Sequence, residues 1–128
     1  MKIRILSWNV RGANGNDKRR VIKSVIKSNK ADVVCLQETK IKEMGTGLVR
    51  SLGVGRHLDW RTVNSRGVVG GILVFWDNRL VELVDVEEGE FSISCRFKNC
   101  VDALMWVFTG MYGCAVGIER ISERSLGQ

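Results

Sequence analysis

Apolar and polar positions alternate over Lys2 to Val10, where Ile3, Ile5 and Leu6 recur among polar neighbours, a pattern that predicts a β-strand. Asn14, Gly15 and Asn16 follow as a loop, with Asn16 or Asp17 as the candidate N-cap of what comes next. From Lys18 to Lys30 the spacing changes to that of a helix. Val21, Ile22, Val25 and Ile26 form an apolar stripe, and Arg19, Arg20, Lys23, Lys27 and Lys30 fall on the opposite arc. Asp32 to Gln37 is almost continuously apolar, which suits a strand covered on both faces. A segment rich in glycine then holds one short helix around Leu48 to Leu52.

Beyond that point the pattern turns to strands. His57 to Val63, Gly70 to Trp76, Leu80 to Val86, Phe91 to Phe97 and Ala103 to Met111 are strand-like, and turn signals separate them at Ser65 to Gly67, Asp77 to Asn78, Glu88 to Gly89 and Lys98 to Asn99. Close spacing without intervening helices predicts antiparallel hairpins. The chain therefore reads as α+β, with a βαβ start that continues as a meander in one large mixed sheet. Ile118 to Gln128 is polar and short, and is expected to form a helical turn or two.

The opening unit has a consequence for chemistry. Strands joined by a helical crossover run parallel, so both end at the same rim of the sheet, where α/β sheets place their ligands. Each of these two strands ends in polar residues: Asn9 and Arg11 in "ILSWNVRG", Gln37 and Glu38 in "VVCLQETK". Asn9 and Glu38 are expected to meet there. A carboxylate at the end of a buried strand needs a partner, and two remain open on physical grounds. One is a hard dication such as Mg²⁺, which takes oxygen ligands and often only one or two carboxylates; the other is a surface lysine, Lys40 or Lys42. Asn9 offers an amide donor and a carbonyl acceptor for steering a phosphate oxygen or a neighbouring side chain.

Composition narrows the class. With 128 residues, no proline, 45% hydrophobic and 27% charged residues, the chain reads as a single globular domain. Charge interrupts its N-terminal apolar run, and no stretch approaches the ~20 apolar residues of a membrane span, so a nuclear or cytoplasmic address is expected. Cys35, Cys95, Cys100 and Cys114 include no Cys-x-x-Cys pair, and with His57 as the single histidine they make a poor zinc set; free thiols are expected. The net charge of +6 is unevenly divided. Residues 1 to 64 hold 14 Lys and Arg against 5 Asp and Glu, whereas residues 65 to 128 hold 6 against 9. A basic half attracts polyanions, but the cationic helix face is read first as a solvated surface and only second as a binding one.

Four blocks in order, "SWNVRG", "DVVCLQET", "GGILVFWD" and "GMYG", resemble the endonuclease/exonuclease/phosphatase superfamily, and most closely the N-terminal endonuclease domains of plant non-LTR retrotransposons. The resemblance covers residues 1 to 113 and leaves 114 to 128 as a divergent tail. It implies a deoxyribonuclease-like four-layer α/β/β/α sandwich, present here in incomplete form, and hydrolysis of phosphate esters with Mg²⁺ or Mn²⁺. It further implies that Glu38 is the metal-binding glutamate, Asn9 an asparagine that organises the site, and Tyr112 the tyrosine whose hydroxyl meets the reacting phosphate. DNA is the implied partner, with Arg11, Arg19, Arg20, Lys23 and Lys27 as candidate contacts.

The departures from the family pattern are equally specific. The Gly-Asp-x-Asn and Ser-Asp-His blocks that supply further catalytic groups are absent from these residues. Cys114 and Ala115 stand where relatives have proline and asparagine, Arg11 where apurinic-site enzymes have a carboxylate, and His57 in "GRHLDW" is no substitute for the missing histidine. Groups that act as a unit lose most of their effect when one is removed, so an inactive half-domain is expected. Its sheet, with Leu73, Phe75, Leu104, Trp106 and Phe108, would be left bare on its inner face and prone to self-association. The alternative is a non-catalytic remnant binding nucleic acid or a protein through the basic helix. A phosphatase acting on inositol lipids or sphingomyelin resembles the wording of the blocks less well.

Overall fold

The structure is a computed structural model, and it describes residues 2–41, 43–63, 70–89 and 92–111 together with the backbone of 116–121. Strand β1 (Ile5–Asn9) leads through helix α1 (Asn16–Asn29) to β2 (Val33–Gln37), and α2 (Thr46–Leu52) follows. Six further strands complete the described chain: β3 (Leu58–Val63), β4 (Ile72–Asp77), β5 (Val81–Glu88), β6 (Ser92–Asn99), β7 (Met105–Met111) and β8 (Val116–Ile121). They form two four-stranded sheets, in the orders β1-β2-β4-β3 and β5-β6-β7-β8. The β1–β2 pair is parallel and every other pair is antiparallel.

Two apolar layers hold this together. Val33 and Cys35 of β2, Val63 of β3 and Ile72, Val74 and Trp76 of β4 face the second sheet, where they meet Val81, Ile93, Cys95, Phe97, Trp106 and Phe108. The alternate residues Val34, Leu36, Leu73 and Phe75 face the helices and pack with Ile22, Ile26, Val49 and Leu52. Period-2 alternation thus divides one sheet between two cores, and β2 is buried along its whole length, as its continuous apolar run predicts. Within the inter-sheet core the Phe97 ring lies edge-on to Trp76 at 5.1 Å and 4.9 Å from Trp106, whose indole N–H donates to Asn99 Oδ1 at 2.9 Å. That bond lets a buried indole and a buried amide satisfy each other.

Several expectations are corrected. The meander does not stay in one mixed sheet: between β4 and β5 the chain leaves the first sheet and starts a second. Asp77 accepts bonds from the backbone N–H and the guanidinium of Arg79, and Leu80 N–H donates to the Asp77 carbonyl, which makes the corner. The Arg79 guanidinium also holds the Asp77 carboxyl below its ordinary pKa. The inner face of the second sheet is not bare, because the first sheet covers Trp106 and Phe108. Leu73 and Phe75 belong to the other sheet and the other core, and Leu104 precedes β7. The basis for self-association through such a face is therefore absent among the described residues. Residues 118–121, expected in a helical turn, lie in β8 paired with β7.

Helix α1 begins at Asn16 with Gly15 in the capping position and no side-chain cap bond, rather than after an Asn16 or Asp17 cap. Asp17 instead lies in the first turn, where a carboxylate suits the helix dipole. Val21 is 55% exposed, so it does not belong to the apolar stripe. Arg19, three residues before the buried Ile22, is half-buried with its Nε out of contact with water, and so lies partly on the packed side.

Candidate active site

The parallel pairing of β1 and β2 places Asn9 opposite Gln37, so that Glu38 is the first residue past the end of β2. The chain does not disperse beyond these strand ends. Val10 N–H donates to Gln37 O at 3.1 Å, Gly12 N–H to Glu38 O at 2.7 Å, and Ala13 N–H to Thr39 O at 2.8 Å. Asn14 Nδ2 then reaches Lys40 O at 3.0 Å. Segments 10–14 and 37–40 are thus bonded to each other along the rim, and this fixes Asn9 and Glu38 on a common lip.

Backbone conformation at the lip is unusual. Arg11, Glu38 and Lys40 have φ of 52°, 56° and 57°, in the left-handed region that non-glycine residues adopt at a cost. Just two other described non-glycine residues, Lys30 and Ala103, have φ in this region, and Lys30 caps a helix. Left-handed residues interrupt the strict alternation of a strand and re-aim the side chain, which brings the Glu38 carboxylate to a half-exposed position. Strain of this kind clusters at sites where geometry matters more than stability.

The remaining contacts come from the segment just before β4 and from the second sheet. Gly70 lies directly against Glu38, and Thr39 N–H donates to Gly71 O at 3.0 Å. Gln37, buried, donates from Nε2 to the carbonyl of Met111 at 2.6 Å and so links the rim to the end of β7. Asn9 accepts the Arg11 N–H on Oδ1 at 3.1 Å, which leaves its amide nitrogen as a donor for a ligand. The Glu38 Oε1 atom is 3.6 Å from Lys40 Nζ, so the surface-lysine pairing is realised; both side chains are open to water, and such a pair is weak.

The donor set has a definite chemical character. Glu38 and Asn9 provide oxygen, and among the described residues no three His, Cys, Asp or Glu side chains gather as a metal cluster. This fits a hard dication that keeps most of its water, held by one carboxylate, and it does not fit a zinc cage. The Lys40 ammonium is the competitor a metal would displace.

The other sequence-predicted residues divide. Arg11 is exposed on the lip. Arg20 and Lys27 are exposed on α1, whereas Lys23 Nζ reaches the Arg50 carbonyl at 3.4 Å and Arg19 is half-buried, so the basic face is narrower than its sequence implies. Tyr112 lies outside the described residues. His57 sits before β3, where its carbonyl accepts the Asn78 N–H at 2.8 Å, and the β3–β4 register puts it at the opposite end of the sheet from the lip. Sequence reasoning missed Gly70 and Gln37. A glycine pair before a buried strand and a glutamine closing an apolar run were the available signals.

A model of the endonuclease/exonuclease/phosphatase family matches residues 6–116, and the chain belongs to that family. The sequence is 30% identical over 128 residues to an exodeoxyribonuclease of Bacillus subtilis (strain 168), covering 95% of this chain and 48% of that protein. The chain therefore spans about half the length of this curated relative. Its fold is similar to the AP endonuclease LMAP from Leishmania major, with a TM-score of 0.62 at 20% identity over 86% of this chain and 40% of that one. It is also similar to TDP2 of D. rerio, solved with a single-strand DNA product, with a TM-score of 0.58 at 18% identity over 88% and 47% of the two chains. These likenesses establish a deoxyribonuclease-like α+β fold. No helix among the described residues is long and apolar enough to cross a membrane.

Proposed function

We propose that this chain carries the first half of a metal-dependent phosphodiesterase site of the retroelement endonuclease type, acting on DNA in the nucleus or cytoplasm. The observation that carries this reading is the lip itself, where Asn9 ends β1 and a left-handed Glu38 directly follows the parallel β2, within a chain of this family. Glu38 is the ligand for Mg²⁺ or Mn²⁺. When bound, the ion supplies charge for the phosphate oxygens and the leaving oxygen. The Asn9 amide donates to a phosphate oxygen, Tyr112 contributes its hydroxyl, and Arg11, with Arg20 and Lys27 on α1, holds the phosphate backbone. Arg19 and Lys23 contribute less, being half-buried and bonded to α2 respectively.

On this reading the 128 residues alone cleave slowly, since the Asp-x-Asn and Asp-His blocks are not among them. That same absence favours the second reading, a non-catalytic remnant that binds nucleic acid through its basic helix. Supercoiled plasmid incubated with Mg²⁺ separates the two. Nicking by the wild type that Glu38→Ala abolishes supports a working site, whereas binding without nicking, weakened steeply by salt, supports the remnant. A chain that neither nicks nor binds plasmid refutes both.

A further inference from the structure

We propose that Gln37 is a positioning residue for this site: its side-chain amide locks the end of β7 in the second sheet against the Glu38 lip of the first. Glu38 as metal ligand is the reading on which this rests.

The case starts from the alternation of β2. Val33, Cys35 and Gln37 share the face that looks at the second sheet, and the first two are apolar members of the inter-sheet core. Methionine or leucine would fill position 37 with no polar group to satisfy. A glutamine is found there instead, 3% exposed, and its Nε2 donates to a carbonyl 74 residues away in sequence, at 2.6 Å. The acceptor is the last residue of β7, Met111. Such a bond, short and part-buried, has a defined length and direction, which apolar contact lacks.

The neighbouring residue shows that the approach is built for this. Gly110 precedes Met111, and a β-carbon added to it would stand 2.9 Å from Cys35 Sγ and 3.7 Å from Ile72 Cγ2. The absence of a side chain at 110 lets the two sheets close at this end, and Gln37 spans the gap that remains. Gln37 is also bonded through its own carbonyl to Val10 N–H, and it sits opposite Asn9 and immediately before Glu38. One residue thus touches the Asn9 strand, the Glu38 lip and the second sheet. A displacement of about 1 Å at such a junction is enough to spoil a catalytic constellation.

The test uses the chain's single tyrosine, Tyr112, which directly follows Met111 in sequence. Protein labelled with 3-fluorotyrosine gives one fluorine resonance. Wild type, Gln37→Met and Glu38→Gln are compared without metal and with Mn²⁺, with bound Mn²⁺ counted by electron paramagnetic resonance. Gln37→Met should bind Mn²⁺ as the wild type does, yet its metal-free resonance should differ from that of the wild type. Its Mn²⁺-induced relaxation should also differ from that of the wild type, because such relaxation falls steeply with distance from the ion. Glu38→Gln should lose Mn²⁺ binding and keep the wild-type metal-free spectrum. A Gln37→Met spectrum identical to wild type, with or without Mn²⁺, overturns the positioning role even if its melting temperature falls. Failure of the wild type to bind Mn²⁺ refutes the metal reading instead, and the metal-free spectra then decide on Gln37 alone.

Discussion

Gly70 lies so close to Glu38 that a β-carbon built on it would stand 2.6 Å from the Glu38 α-carbon, 2.7 Å from its Cγ and 3.1 Å from its carbonyl carbon. Two of these three atoms are backbone, which cannot swing aside as the tip of a side chain can. Backbone atoms of Glu38 are held in turn by the Gly12 N–H. Gly70→Ala is therefore expected to cost about 1–3 kcal/mol in urea denaturation, typical of forcing an extra carbon into a packed site. It should also weaken Mn²⁺ binding by displacing the lip. By contrast Gly47, with no atom near its would-be β-carbon, should accept alanine with little loss. Equal stability of the two variants would show that position 70 needs no glycine.

Glu38 itself is held at φ 56°, a conformation that glycine would adopt with less strain. A left-handed residue with a β-carbon costs of order 1 kcal/mol or more, which glycine avoids. Glu38→Gly should then be at least as stable as the wild type by urea midpoint, while losing Mn²⁺ binding. Most Glu→Gly changes in ordinary conformations destabilise, so the sign is informative. A clear fall in the midpoint would mean that the carboxylate serves the fold rather than a ligand.

These two residues show how legibility divides along the chain. The βαβ start is legible because periodicity and handedness act locally or through a rule with few exceptions, and they place Asn9 and Glu38 at one rim from the sequence alone. The strand runs were also readable, to within one to three residues. Their division into two sheets followed from the family resemblance and not from the strand pattern, because alternation within Ser92–Asn99 says that one face is buried but not what buries it. The same limit produced the mistaken bare sheet, in which Phe75 and Trp106 were assigned to one surface although they belong to different cores. The contacts of Gly70 and Gln37 depend on chain segments far apart in sequence, so no local pattern exposes them. The glycine pair at 70 and 71 and a glutamine closing an apolar run were the visible hints.

Lys40 offers a check on the charge at the lip. Its ammonium lies 3.6 Å from Glu38 Oε1, and both side chains are well hydrated, so the pair itself contributes little to stability. Any dication reaching Glu38 must displace that ammonium and tolerate its charge nearby. Lys40→Met is expected to leave the urea midpoint nearly unchanged and to tighten Mn²⁺ binding by up to about fivefold, more at low ionic strength than at high. Isothermal titration at two salt concentrations would measure it. Weaker binding in the variant would place Lys40 among the residues that help the ligand and would contradict a simple competition.

The thiols report on the inter-sheet core. Burial, with Cys95 nearby as a smaller cause, pushes the Cys35 thiol up to about 12, and burial likewise pushes Cys95 up to about 12, while Cys100 is exposed. Only the thiolate is nucleophilic, so at pH 8 each buried thiol is ionised to about one part in 10⁴ and is shielded by packing as well. Cys100 should alkylate with iodoacetamide within minutes. Cys35 and Cys95 should remain unmodified until denaturant opens the sandwich, and their rates should then approach that of an unfolded cysteine. Because both sulfurs sit between the sheets, their modification rate under native conditions measures how often the sheets part. Gly110→Ala places a carbon against Cys35 Sγ, so it is expected to raise the rate at Cys35 well above that of the wild type, as peptide mass spectrometry would show. Rapid native labelling of Cys35 in the wild type would mean that the two sheets do not cover each other as described.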